Sequence, residues 1–207
     1  MQRTVIVLVT HRGLADEMAD CVAKLGCPSI VKVKGCPDQS KGRSMAIDAA
    51  FDKTEGTDID TVLLLDDDQI FEPKCVLDLV EHSRQTGECC SGVTVTAEGK
   101  LCARPIKPLV VIPNAPVRWL TGLGCLAVPR VRLVRLRKKL PETAGITHWC
   151  RSGPHPDYPG EWFPNDFWFC NHFGGVLLIP IAFGHLKWVP IWPDSRMVRE
   201  CCAYNPE

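Results

Sequence analysis

Residues 61–73 read TVLLLDDDQIFEP: a short β-branched and leucine run, three consecutive aspartates, a brief return to apolar residues and a proline. TVLLLD (61–66) has the length and composition of a strand buried on both faces, as in a parallel sheet covered by helices. Pro73 suits the first turn of a helix, which Val76, Leu77 and Val80 continue. Strand, acidic turn, helix is the local reading, and it decides the fold class. Three adjacent carboxylates oppose one another's ionisation, so at the end of a buried strand they require something positive.

The same alternation extends in both directions. TVIVLVT (4–10) is a second short, buried strand pattern. From Gly13, the residues Leu14, Met18, Cys21, Val22 and Leu25 recur at helical spacing, and Gly26 supplies a stop. SIVKVKG (29–35) alternates apolar and polar residues, as a strand nearer an edge does. An Ala-rich segment from Ser40 to Lys53 reads as a helix, and CCSGVTVT (89–96) as a further strand. This order implies an α/β fold with a Rossmann-like, mainly parallel twisted sheet flanked by helices.

The second half is irregular. Residues 101–118 hold four prolines and read as ribbon or loop. WLTGLGCLAVP (119–129) reads as a strand interrupted by close-packed glycines, and VRLVRLRKKL (131–140) as an amphipathic helix with Leu133, Leu136 and Leu140 on one side. Residues 141–163, rich in Pro, Gly, His and Trp, read as a mobile substrate loop. A short helix follows Pro164, then the strand GVLLIPIAF (175–183). One domain is expected over 1–207, with a nucleotide-binding half at 1–98, an acceptor-side half at 99–190 and a tail at 191–207.

Composition narrows the function classes. Lys+Arg and Asp+Glu balance at 24 each in 207 residues, so attraction to an anionic partner would have to be local. The first apolar run is too short to cross a bilayer and lacks a signal-peptide pattern, so a cytoplasmic location is expected. The 12 cysteines include no C-x-x-C pair, which argues against a zinc knuckle and for reduced, mostly structural thiols.

In an open α/β sheet, ligands bind beyond the carboxyl ends of the strands, where Asp66, Asp67 and Asp68 are expected. In an extended segment Asp66 and Asp68 point to one side and Asp67 to the other. Asp66 and Asp68 are thus the candidate metal and nucleotide pair, with Asp67 orienting. Mg²⁺ or Mn²⁺ prefers such oxygen donors and leaves coordination sites for phosphate. A solvated Asp-rich turn capping the next helix is the alternative.

RSMAIDAAF (43–51) followed by the apolar strand, the aspartates and the proline-led helix resembles nucleotide-sugar glycosyltransferases of the A-type fold, close to family 2. Three later stretches fall in that family's order. TGLGCLAVPR (121–130) looks like its small-residue strand, NDFWFC (165–170) like its acidic motif at a helix start, and GHLKW (184–188) like its late Gly-His. The resemblance implies a D-x-D motif at Asp66–Asp68 holding the metal and, through it, the diphosphate of a UDP- or GDP-linked sugar. It implies His185 as a further metal ligand and Asp166 as catalytic base in an inverting transfer. Asn165 stands where the family commonly has a first carboxylate, a role that is absent here or moved to Glu161.

The remaining candidates are more local. An apolar setting from Phe167 to Phe169 would raise the pKa of Asp166 and suit a base. Thr10, His11 and Arg12 lie at the end of the first strand, where such enzymes contact the nucleotide. Arg43 could reach the diphosphate with its planar fork, and Asp38 is a candidate for the base or ribose. Arg130, Arg132, Arg135, Arg137, Lys138 and Lys139 form either a solvated helix face or a patch for an anionic acceptor. Trp149, Trp162, Trp168, Trp188 and Trp192 suit sugar or base stacking, or core packing.

The expected activity is metal-dependent glycosyl transfer to a glycan, protein, small molecule or hydroxylated DNA base. A metal-dependent nucleotidyltransferase is the rival enzyme. It would show a Gly-rich basic loop after the first strand, and THRGLAD (10–16) has one glycine. A catalytically degenerate sugar- or nucleic-acid-binding module is the third reading.

Overall fold

The structure, a computed structural model, describes residues 1–10, 16–34, 36–96, 98–106, 116–154, 160–186, 190–191, 193 and 195–203, with the backbone alone at 185–186, 190–191 and 200–203. His11, Arg12, Trp188 and Trp192 lie outside the described residues.

The first half follows the alternation in the sequence: β1 (Thr4–Thr10), α1 (Asp16–Lys24), β2 (Ser29–Lys34), α2 (Gln39–Thr54), β3 (Thr61–Asp66), β4 (Gln69–Ile70), α3 (Pro73–Thr86) and β5 (Cys90–Val93). Local chemistry sets several of these ends. The Asp38 carboxylate accepts from the Lys41 backbone N–H and so caps α2. Pro73 opens α3, and Gly87, at φ 68°, closes it in the left-handed conformation that glycine adopts without steric cost.

Beyond β5 come β6 (Ala103–Pro105), β7 (Trp119–Thr121), β8 (Cys125–Pro129) and α4 (Arg130–Arg137). Two small hairpins follow, β9 (Glu142–Thr143) with β10 (Ile146–Thr147), and β11 (Gly153–Pro154) with β12 (Trp162–Phe163). Then α5 (Asn165–His172) leads to β13 (Leu177–Ala182), β14 (Gly184–Leu186), β15 (Pro190–Ile191) and α6 (Ser195–Ala203).

The central sheet has six strands in the order β13-β5-β8-β3-β1-β2. β1 pairs in parallel with β2 and β3, and β13 with β5. β8 runs antiparallel between β3 and β5, joining the two parallel groups. The fold is thus mixed α/β with a mainly parallel central sheet flanked by helices, the class the sequence implies.

Side-chain alternation builds a core on each face. Val5, Val7, Val62, Leu64, Leu126 and Val128 point to one side, with Ile47, Leu133, Trp149 and Phe169. Ile6, Leu8, Leu63, Leu65, Cys125 and Ala127 point to the other, with Met18, Val22, Val76 and Leu79. The first layer therefore draws on α2, α4 and α5, the second on α1 and α3. Continuous apolar runs in β1 and β3 are the sequence trace of burial on both faces.

Within the segment expected as a mobile loop, residues 141–154 are described and hold defined structure. The β9–β10 hairpin turns at Ala144 and Gly145, both at positive φ, and docks on α2 through one carboxylate. Asp48 accepts from the Thr147 backbone N–H and from Trp149 Nε1, each at 2.8 Å. Trp149 is fully buried and so serves the core, whereas Trp162 is 67% exposed. The ten cysteines whose side chains are described are free thiols. Among the described residues, no helix is long and apolar enough to cross a membrane.

Candidate functional site

The carboxyl end of β3 is where α2, the acidic turn and α5 converge. Arg43 lies in the second turn of α2 with its side chain 7% exposed. One guanidinium nitrogen donates to both oxygens of Asp66, at 2.8 and 3.0 Å. The other terminal nitrogen donates to Asn165 Oδ1 at the start of α5. Asn165 in turn donates to Gln39 Oε1 at 3.3 Å. A single buried cation thereby ties the end of β3 to the helix that carries Asp166.

Burial opposes the Arg43 charge, yet Asp66 and Asp166 more than offset it and hold its pKa above the ordinary value. For Asp166 the balance runs the other way. Burial pushes its carboxyl pKa up, Arg43 counters part of this, and Asp66 adds to the rise. Its Oδ1 accepts from the Phe167 backbone N–H at 2.9 Å. Gly122 faces its other oxygen. A Cβ there would sit 3.7 Å from Asp166 Oδ2 and 3.0 Å from Cys102 Sγ, so the glycine keeps that side open.

The acidic turn departs from the extended geometry used to separate its members. β3 ends at Asp66, and Asp67 and Asp68 form a two-residue turn into β4. Strict alternation therefore does not place Asp66 and Asp68 on one side. All three are half-buried. The donor chemistry suits a hard divalent cation, since three carboxylates leave one turn and Asp66 keeps lone pairs beyond those Arg43 uses. Among the described residues no group of three or more His, Cys, Asp or Glu side chains stands in metal-holding proximity.

The other candidates are placed as follows. Thr10 is the buried last residue of β1. The Arg43 fork is directed at Asp66 and Asn165, and Asp38 is the α2 cap described above. The backbone of His185 pairs with Gln69 in β14–β4, one residue beyond the acidic turn; its side chain lies outside what is described. Glu161, the position to which the carboxylate missing at Asn165 could have moved, forms a surface pair with Arg104 at 3.3 Å. The basic helix is partly consumed internally. Arg130 donates to Thr54, Arg132 pairs with Glu88, and Arg137 reaches Asp52 and lies over Phe51. Arg135, Lys138 and Lys139 remain exposed.

Two contributors lie outside the sequence candidates. Gln69, which follows Asp68 directly, is 2% exposed and packs where Gly124 lacks a side chain. A Cβ on Gly124 would meet Gln69 Nε2 at 2.8 Å. The signal available was a polar residue between an acidic run and Ile-Phe. Asn165 acts as the acceptor that fixes Arg43, a role its family-order position hides. Beside Asn165 opens a cleft of about 760 Å³ between the start of α2 and residues 143–152.

No protein-family model matches the chain. No curated protein matches it either. Among solved structures, the crystal structure of A197 from STIV is similar with a TM-score of 0.60 at 15% identity, over 90% of this chain and 86% of that one. The structure of CMP:2-keto-3-deoxy-manno-octonic acid synthetase complexed with CTP matches more loosely, with a TM-score of 0.40 at 15% identity over 70% and 80% of the two chains. At such identity the likeness to A197 from STIV shows a shared fold.

Proposed function

We propose that this protein is a glycosyltransferase that moves a sugar from a nucleotide-sugar donor to an acceptor hydroxyl with inversion. The observation that carries the reading is the buried Arg43, which joins Asp66 of the acidic turn to the start of the Asp166 helix. That clamp sets a desolvated carboxylate beside the strand end where an α/β sheet binds ligands. The order of motifs along the chain supports the same reading.

In the proposed mechanism Asp66 is oriented by Arg43, and the acidic turn receives the donor diphosphate. Mn²⁺ or Mg²⁺, held by Asp66 and Asp68 with His185 as a further candidate ligand, would supply positive charge for the diphosphate as it departs. Asp166 accepts the acceptor hydroxyl proton through its side facing Gly122. The acceptor oxygen bonds to the anomeric carbon while the bond from that carbon to the diphosphate oxygen breaks. A raised pKa suits this role, because a stronger base shares the proton more effectively once ionised.

A thermal-stability panel of UDP- and GDP-sugars with Mn²⁺ tests the reading. One donor should raise the melting temperature, and chelator should remove the gain. Incubation should then release nucleoside diphosphate. Pyrophosphate release from a nucleoside triphosphate with a sugar 1-phosphate would replace transferase by nucleotidyltransferase. Donor binding without any turnover across an acceptor panel would leave a binding module.

A further inference from the structure

The cleft beside Asn165 carries two cations that the proposed reaction leaves unused. Lys41 stands on the first turn of α2 and Arg151 on the facing segment, and both line the cleft. Their neighbours Ser40 and Ser152 meet across it, Oγ to Oγ, at 3.4 Å, so the walls approach each other at these cations. Neither forms an ion pair with a described carboxylate. Asp38 is the single acidic residue of the lining, and its carboxylate caps α2.

Arg151, though exposed, also has a ring partner. Its guanidinium lies over the Trp168 ring, 5.3 Å from the centroid, on the helix that bears Asp166. Stacking on a ring face leaves the edge of the fork available for anionic oxygens. Lys41 and Arg151 thus put positive charge on both walls, one residue from the Ser40–Ser152 approach, and an anion in the cleft would meet both. A cleft of about 760 Å³ fits a ligand of monosaccharide to nucleotide size.

We infer that this cleft is the acceptor subsite, and that the acceptor is a small hydroxylated molecule whose anionic group sits between Lys41 and Arg151. Its reacting hydroxyl then extends past Asn165 toward Asp166. This assignment rests on the transferase reading above.

The test titrates glucose 6-phosphate, glucuronate and glucose into the full-length protein by calorimetry, without donor or metal. It is repeated with Lys41→Ala, Arg151→Ala and the double variant, and with Lys41→Gln and Arg151→Gln as milder substitutions. The anionic sugars should bind roughly tenfold or more tightly than glucose, the scale of one charge-assisted contact. The double variant should lose that advantage while its affinity for the donor found in the stability panel stays within about twofold. Preference between glucose 6-phosphate and glucuronate assigns the anion as phosphate or carboxylate. Equal or absent binding of all three sugars overturns the inference, as does an anionic advantage that survives both pairs of substitutions. Donor affinity falling with the double variant would instead make the cleft part of the donor site. Because the titrations need no donor, failure of the transferase reading in the panel is visible separately.

Discussion

Strand β3 is flanked by a carboxylate at each end, and the two ends treat it differently. At the amino end, Asp60 is paired with Arg3 at 2.8 Å and Arg84 at 2.9 Å, with side-chain exposures of 58% and 26% for the two arginines. Cations outnumber the carboxylate there, and water reaches all of them. At the carboxyl end the buried Arg43 guanidinium pairs with Asp66 and lies near enough to Asp166 to feel its charge. The amino end is complete as it stands. The carboxyl end sets Asp66 and Asp166 beside one guanidinium in a partly dry place, and a desolvated carboxylate with a specific charge partner marks a candidate functional site.

The largest test of this contrast is Asp166→Asn. Transfer should fall about 10²- to 10⁴-fold, the usual loss of a general base, with donor affinity retained. Near-normal transfer would remove Asp166 from the mechanism. In the wild type the acid limb of kcat/KM should lie above the ordinary aspartate value of about 3.9, because burial raises this pKa. A folded-state pKa above the unfolded one means that stability declines as pH rises between the two. Asp166→Asn should therefore be more stable than wild type at neutral pH, and the gain should close on acidification through that window. Melting temperatures at several pH values read both signs.

Arg43→Met comes next. It strips Asp66 and Asn165 of their buried donor and should cost roughly 3 kcal/mol in urea unfolding, at the lower end for a broken buried pair because Asp66 keeps some water. An effect below about 1 kcal/mol would place Arg43 among ordinary surface pairs. Gly124→Ala should cost about 1–3 kcal/mol, because the new methyl overlaps Gln69, and should weaken donor binding through the adjacent turn. Restoration by a second substitution, Gln69→Ala, would tie the cost to that overlap; a cost unchanged by it would point elsewhere. The smallest effect belongs to Asp60→Asn, expected at about 0.5–1 kcal/mol and shrinking in high salt, with donor affinity unaltered. A salt-independent loss at Asp60 matching that of Arg43→Met would erase the distinction between the two ends.

Much of the scaffold was legible because its information is local. Period-two and helical apolar patterns, Pro73 and Gly26 mark elements near where they occur. The acidic turn was legible as an electrostatic conflict. The position of β8 was not: CLAVP reads as a strand, but nothing in its residues says that it lies between β3 and β5. Nor was the Arg43–Asn165 contact, whose partners stand 122 positions apart. The docking of residues 147–149 on Asp48 was hidden for the same reason, since an aspartate in an Ala-rich helix resembles a solvated one. In each case the missing fact was a pairing between distant segments. The turn at Asp67–Asp68 is a different miss: the strand ends at Asp66 as expected, but side-chain alternation does not continue through the two turn residues.

The placement of β8 also governs the order in which the molecule can assemble. A nascent chain that has emerged through residue 98 has made β1, β2, β3 and β5, yet lacks the strand that bridges β5 to β3. Until residues 125–129 are available, β3 and β5 expose unpaired backbone edges, and the acidic turn lacks the Gly124 carbonyl that accepts from the Asp66 N–H. The first 98 residues are therefore not a folding unit in space. Truncation after residue 98 should yield a chain prone to association, whereas extension through α5 should allow a soluble one. Vectorial synthesis thus keeps Asp66 and Asp166 apart until the second half of the chain exists.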